Sequence, residues 1–381
     1  MPWPDQVRQP APPFAAGASA RRWPPVADLH CDTVRALRGG VDLRDHPEGQ
    51  VDLPRLQLGG VGLQVFACYL PSGLARDRAL AETTQMLDAL DDACERCAPD
   101  IVKVETADQA EAAVERGLIG MLLAVENGHA IDSDLRNLGT LRRRGVRSLT
   151  LTHARHLPWA ASSGEPWAGS AGLNPFGAEV VREMNALGMI VDVSHVHART
   201  FDDVRRLSRK PFIASHSCAA ALCPVERNLT DDQLRAIAGA GGVVGVNFFP
   251  GFLDPGYLAS RGADVGEMPA ERERSVLGDL EGRPLGLTRP PPRAPWREPG
   301  GTPRADLDLL VSHIEHIARV AGEDHVAFGS DFDGIPQTPR GVPDCSAFPR
   351  ILARLSERGF GDASLRKIAW GNFLRVLRAN D

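Results

Sequence analysis

Short apolar runs rich in β-branched residues recur along the chain. Most are followed by a stretch whose apolar positions fall three or four apart. The runs predict strands near 25–32, 61–70, 118–127, 146–153, 189–195, 211–217, 243–249 and 325–333. The 3.6-residue period predicts helices near 78–97, 106–116, 134–144, 177–187, 197–208, 230–240 and 305–321, with two more near 345–358 and 362–379. Thr230 ahead of Asp231 and Asp232 reads as a helix N-cap, and Gly145 and Gly188 read as helix stops. Eight strands with interleaved helices predict an α/β fold, a (β/α)8 TIM-like barrel of parallel strands. A doubly wound open sheet is the alternative, weakened by the absence of a GxGxxG turn after the first strand.

The rhythm fails in two places. Residues 1–24, rich in Pro and Ala, read as a flexible extension before one (β/α)8 domain over 25–381, whose C-terminal helices fill 345–381. Residues 250–304 are dense in Pro, Arg and Gly and read as a long inserted loop after the seventh strand. A solvated loop and a substrate lid both fit that composition.

Composition narrows the function classes. The 381 residues are 43% hydrophobic, enough for a sizeable core. Lys+Arg 43 against Asp+Glu 49 leaves a net charge of −6, which argues against a general nucleic-acid binder. The Arg-rich insertion also lacks interleaved aromatics beyond Trp296. No apolar run reaches the length of a membrane span, and the N-terminus lacks the basic start and apolar stretch of a secretion signal. Seven cysteines, an odd number, show no disulfide framework and suit a reducing compartment, the cytoplasm. Cys94 and Cys97 form a CxxC, but on one face of a predicted helix, where buried packing is the expected role.

The polar residues at the predicted strand ends carry the chemistry. His30 and Asp32 end the first strand, two apart and so on one side of it. Glu126 ends the third strand, His153 the fourth, His195 the fifth and His216 the sixth; Asp331 follows in GSDFDG at the end of the eighth, with Asp333 as its rival. In a parallel barrel these ends share the face where active sites are built. Imidazoles with carboxylates suit zinc or a similar divalent ion. Three carboxylates with three or four histidines exceed one tetrahedral site and fit two ions bridged by a carboxylate and a water.

With these residues in view, the chain resembles the renal (membrane) dipeptidase family of the amidohydrolase superfamily. The matching stretches are DLHCDT at 28–33, AVENG at 124–128, LTLTHARHLPWA at 149–160, VDVSH at 191–195, ASHSCAAALCPVERN at 214–228, GSDFDG at 329–334 and WGNFLRVL at 370–377. They run in the family's order across almost the whole chain after residue 25. The resemblance implies a zinc-dependent dipeptidase with two Zn2+ per chain, acting through a hydroxide bridging the two metals on dipeptides, those with a C-terminal D-residue among them. It implies that His30, Asp32 and Asp331 hold the first metal, that Glu126 bridges the two, and that His195 and His216 hold the second. It implies that His153 contacts the scissile carbonyl, that Arg227 binds the substrate carboxylate, and that Asp331 also carries the proton from water to leaving amine. Relatives often form homodimers, although no interface is legible in this sequence.

Three features depart from the family's pattern. Cys31 stands where Asn is common, and alternation turns it away from the ligand face toward packing. His156 is unexpected in its segment and reads as a pocket-wall residue. The 250–304 insertion has no counterpart. The alternative activity keeps the metals and changes the substrate to an N-acyl amino acid, a lactam or another small amide. A non-catalytic scaffold is disfavoured by the complete ligand set.

Overall fold

The computed structural model describes residues 22–165, 172–259 and 305–381. The expected N-terminal extension lies outside this range up to residue 21, and so does most of the expected insertion, 260–304.

Nine parallel strands form one sheet: β1 (Val26–Cys31), β2 (Val61–Tyr69), β3 (Ile101–Lys103), β4 (Ile119–Glu126), β5 (Val146–Thr150), β6 (Ile190–Asp192), β7 (Ile213–Ala214), β8 (Val243–Val246) and β9 (Val326–Phe328). Eight of them close a barrel. Strand β1 pairs with both β2 and β9, and β2 pairs with β4 from Leu63↔Gly120 to Tyr69↔Glu126. The ring then runs through β5, β6, β7, β8 and β9. This is the predicted (β/α)8 barrel. The extra strand, β3, pairs with the first residues of β4, on the edge whose later residues pair with β5.

Both strand faces are buried, which is why the sequence shows near-continuous apolar runs. One buried cluster fills the interior with Ala27, Leu29, Leu63, Val65, Leu122, Ala124, Ile190, Ile213, Val243 and Ala327. Strand residues of opposite parity, such as Phe66, Cys68, Leu123, Val125, Val191 and Val244, pack outward under the helices. The helix at Asn372–Ala379 adds Phe373, Leu374, Val376 and Leu377 to the interior cluster. Buried Arg147, early in β5, donates to Asn380 O and pairs with Asp381 Oδ1 at 2.9 Å, tying down the chain's last residues.

The helix signals hold at several ends. Thr230 accepts from Gln233 N in a capping box, and Gly145 and Gly188 follow helix ends with φ of +91° and +69°. The predicted strands overran by up to five residues at their C-terminal ends. Past β6 and β9 the reason is backbone geometry: His195, Asp331 and Asp333 adopt φ of +66°, +63° and +66°, which no ladder tolerates. Short helices at Leu53–Leu58, Pro250–Leu253 and Pro255–Ala259 were not expected. The last two occupy the first residues of the segment read as a loop, with Pro supplying the first helical position of each.

Candidate metal centre and active site

The C-terminal ends of the barrel strands bring the six predicted ligands and His153 together. Three overlapping groups have ligand atoms within 4.8 Å of one another: His30 with Asp32 and Asp331, His30 with Glu126 and His216, and Glu126 with His153 and His195. Glu126 ends β4 and is almost fully buried. Its Oε2 lies 3.6 Å from His30 Nε2. Its Oε1 lies 3.0 Å from His195 Nε2 and 3.4 Å from His216 Nε2. The two oxygens of one carboxylate thus face two different sets of imidazoles. His153 follows β5, with its ring centroid 4.2 Å from that of His195 and 4.6 Å from that of Tyr69.

The loop backbone is held as firmly as the side chains. The carbonyl of left-handed His195 accepts from Thr152 Oγ1 at 2.9 Å, Ser163 N at 2.9 Å and Ser163 Oγ at 3.1 Å. A strained φ persists only where its surroundings over-determine it. Asp331 N donates to His30 O, and Asp331 Oδ2 accepts from buried Asn247 Nδ2 at 2.9 Å. Gly334 leaves room for the two carboxylates beside it, since a Cβ there would overlap Asp32 Oδ2 and Asp331 Oδ1.

Electrostatics set the histidines apart. For His30, burial opposes protonation, but the Glu126 and Asp32 carboxylates outweigh it and raise the imidazole well above its ordinary value. Burial, aided by the charge of Arg227, depresses His153 to about 3 and His195 well below the usual imidazole range. Burial does the same to His216, helped by His30 and Arg227. Asp331 is pushed well up, first by burial and then by the neighbouring Asp32 and Glu126 charges. The residues fit divalent cations. Three carboxylates converge, and the buried atoms His30 Nε2, Asp32 Oδ1 and His153 Nδ1 have no hydrogen-bond partner. Buried polar atoms seldom go unpaired unless something else satisfies them.

Arg227 lies in the loop between β7 and the helix at Asp231–Gly239 and is buried. Its Nη2 donates to His216 O at 3.1 Å, its guanidinium sits 5.2 Å from the Phe252 ring centroid, and its buried Nε is unpartnered. Asp333 does not join the cluster. Its carboxylate accepts from Thr33 Oγ1 and Gln50 N and so braces the loop. His156 is also a brace: its Nδ1 accepts from Ser162 N, and its own N–H donates to Glu165. Cys31 packs in the core, as alternation predicted.

Three supports were not expected from the sequence: Asn247 behind Asp331, the buried Asp192–Ser215 pair behind His216, and a second buried pair, Asp28–Ser330. One signal was available. A serine directly precedes His195, His216 and Asp331.

A profile of the membrane dipeptidase family (Peptidase family M19) matches residues 20–381. The chain belongs to this family. A relative from Schizosaccharomyces pombe, described as an uncharacterized dipeptidase, is 33% identical over 354 residues, 87% of this chain and 74% of the relative. The solved metallo peptidase of Rhodobacter sphaeroides, liganded with a phosphinate mimic of L-Ala-D-Ala, is 28% identical with a TM-score of 0.76, covering 94% of this chain and 100% of that one. A solved M19 metallo peptidase, dipeptidase AC, is 29% identical with the same TM-score, covering 94% and 99%. This membrane dipeptidase family member is a metallo-dipeptidase, a hydrolase of the peptide bond. Among the described residues, no helix is long and apolar enough to cross a membrane.

Proposed function

We propose that the chain hydrolyses dipeptides at a binuclear zinc centre, with His30, Asp32 and Asp331 holding one ion, His195 and His216 the other, and Glu126 bridging them. The observation that carries this reading is the two-sided Glu126 carboxylate, one oxygen toward His30 and the other toward His195 and His216. Two divalent ions held there supply an ionised water near neutral pH and polarise the scissile carbonyl.

The chain's own side chains do the rest. Arg227 pairs with the substrate's free carboxylate through its planar fork. Buried, neutral His153 offers an N–H to the carbonyl oxygen as that oxygen gains charge. Asp331, held in place by Asn247, takes the proton from the attacking water and passes it to the leaving amine. The mimic of L-Ala-D-Ala bound by the Rhodobacter sphaeroides relative supports a dipeptide with a C-terminal D-residue as a substrate here. A cytoplasmic setting is supported by the seven cysteines, all of them free.

The test is elemental analysis together with a panel of L,L- and L,D-dipeptides and N-acyl amino acids. Two zinc equivalents and hydrolysis of dipeptides are expected. A preference for N-acyl amino acids moves the substrate class and leaves the metals in place. Full activity in metal-free protein overturns the reading.

A further inference from the structure

A buried carboxylate stands behind His216, and the direction of each hydrogen bond around it is fixed by chemistry. Ile190 and Ile213 line the barrel interior, and two residues further on Asp192 and Ser215 continue the same faces of β6 and β7. Asp192 is buried and accepts four bonds. Thr150 Oγ1 donates to Oδ2 at 2.6 Å and Ser215 Oγ donates to Oδ2 at 2.5 Å; Ser194 N and Ser215 N donate to Oδ1 at 3.0 and 2.9 Å.

With two backbone N–H groups on one oxygen and two hydroxyls on the other, the Asp192 carboxylate acts as acceptor on both sides. The single hydroxyl proton of Ser215 is therefore committed to Asp192. The Ser215 oxygen lies 2.8 Å from His216 Nδ1, and with its own proton committed it can only accept there. His216 must then carry its proton on Nδ1. Its Nε2, the atom facing Glu126 Oε1 and His195 Nε2, is left with a free lone pair. The backbone is fixed in the same place, since His216 N donates to Ser194 Oγ at 3.1 Å.

We propose that Asp192, acting through Ser215 Oγ, is a positioning residue that locks His216 in the Nδ1–H form and aims its Nε2 lone pair at the second metal. This rests on the reading that His216 holds that ion. Metal-bound histidines commonly donate their other ring N–H to a carboxylate, carbonyl or water, which fixes the tautomer and raises basicity; losing that partner costs about 10–100-fold in metal affinity or activity. Here a hydroxyl is interposed between imidazole and carboxylate. The buried Asp28–Ser330 pair has similar parts, with Ser330 N and Oγ donating to Asp28 at 2.8 and 2.6 Å, but the oxygen of its hydroxyl accepts from Phe332 N at 3.3 Å and meets no imidazole. Of the two carboxylate–serine pairs, only Asp192–Ser215 is built to set a tautomer.

The test compares Ser215→Ala with Thr150→Ala. Both remove one bond to Asp192 Oδ2, and only the first breaks the link to His216. Chelator competition measures affinity for the second zinc equivalent, and 15N imidazole spectra of the metal-free protein read the tautomer of His216. Ser215→Ala is expected to weaken the second equivalent about 10–100-fold and to lose the pure Nδ1–H signature, while Thr150→Ala keeps both at wild-type values. Equal weakening in the two variants, or none in Ser215→Ala, overturns the relay. Should Ser215→Ala fail to fold, Asp192→Asn reads the relay from its other end. It retains an accepting oxygen without the charge, and unchanged zinc affinity there overturns the proposal as well. His216→Ala separates the two levels. Loss of one zinc equivalent in it alongside an unaffected Ser215→Ala overturns the relay alone. Retention of both equivalents overturns the metal reading and the relay together.

Discussion

His195 Nε2 and His216 Nε2 stand 2.8 Å apart, both beside Glu126 Oε1. Burial keeps the two rings neutral, so they meet nitrogen to nitrogen with room for one proton between them at most. Two lone pairs and a carboxylate oxygen around one point make a cation the better occupant. Chelation should therefore lower Tm, and returning zinc should restore it in proportion to ligand-linked stabilisation. Glu126→Gln should weaken both equivalents, whereas His30→Ala should release one. Loss of a single equivalent in Glu126→Gln, measured by elemental analysis, would refute the bridging role.

Gly334 offers a second handle on the first ion. Gly334→Ala adds only a methyl group, yet that methyl would displace the Asp32 and Asp331 carboxylates. The fold should survive, because the other contacts of this loop remain. Zinc affinity on that side should fall by about 10–100-fold, the range for disturbing groups that orient a ligand. A calorimetric titration with unchanged affinity would show that the carboxylates can move without cost.

His153→Asn should lower kcat far more than it raises KM. Its N–H contact strengthens as the carbonyl oxygen gains charge, so the loss falls on the transition state, by about 10²–10³. Steady-state kinetics decide this, and a pure KM effect would make His153 a binding group only.

Arg227→Ala should leave zinc content unchanged. It should cost about 1.5–3 kcal/mol in kcat/KM for free dipeptides, the range for hydrogen bonds to charged groups. C-terminally amidated dipeptides should lose much less. Equal losses for both substrates would indicate that the bond from Arg227 to His216 O, rather than carboxylate recognition, was removed.

His313 makes stability depend on pH. Its Nδ1 accepts from Ala219 N, so its Nε2 donates to Leu253 O, which joins two loops at the active-site end. Burial, with His316 nearby, lowers it to about 4, against the bond to Leu253 O, which favours the protonated form. The folded state thus prefers the neutral ring, and below about pH 6.5 the unfolded chain binds the extra proton. Stability from this group is full above that pH and is lost as pH falls toward 4, by up to about 3 kcal/mol at 1.36 kcal/mol per unit. Urea midpoints for wild type and His313→Gln should converge across that window, and parallel curves would exclude the assignment.

The barrel was legible because each strand is buried on both sides and each helix on one. The polar residues stood out because they interrupt apolar runs where a parallel barrel opens its active face. Strand β3 was not legible: three residues, Ile101–Lys103, carry too little pattern to register. Nor were the strand ends, because left-handed backbone at His195 and Asp331 leaves no periodic trace. The carboxylate–serine pairs depend on which residues of neighbouring strands lie side by side. Asp192 faces Ile213 across β6 and β7, a register decided by closure of the whole ring. Asn247 was passed over for the same reason, since its partner Asp331 is 84 positions away.

The pairing of β1 with β9 has a consequence for how the protein comes into being. Asp28 and Ser330 meet across 302 positions, and the same seam sets His30 and Asp32 beside Asp331. During synthesis the first of these residues wait, with strand edges exposed, until nearly the whole chain has emerged. Such long-range closure is slow and leaves apolar edges open to wrong partners. A ribosome-stalled chain ending before residue 326 would carry seven of the eight barrel strands and every site residue except Asp331 yet lack the seam, so catalytic competence should arrive in one step at the end of translation rather than accumulate.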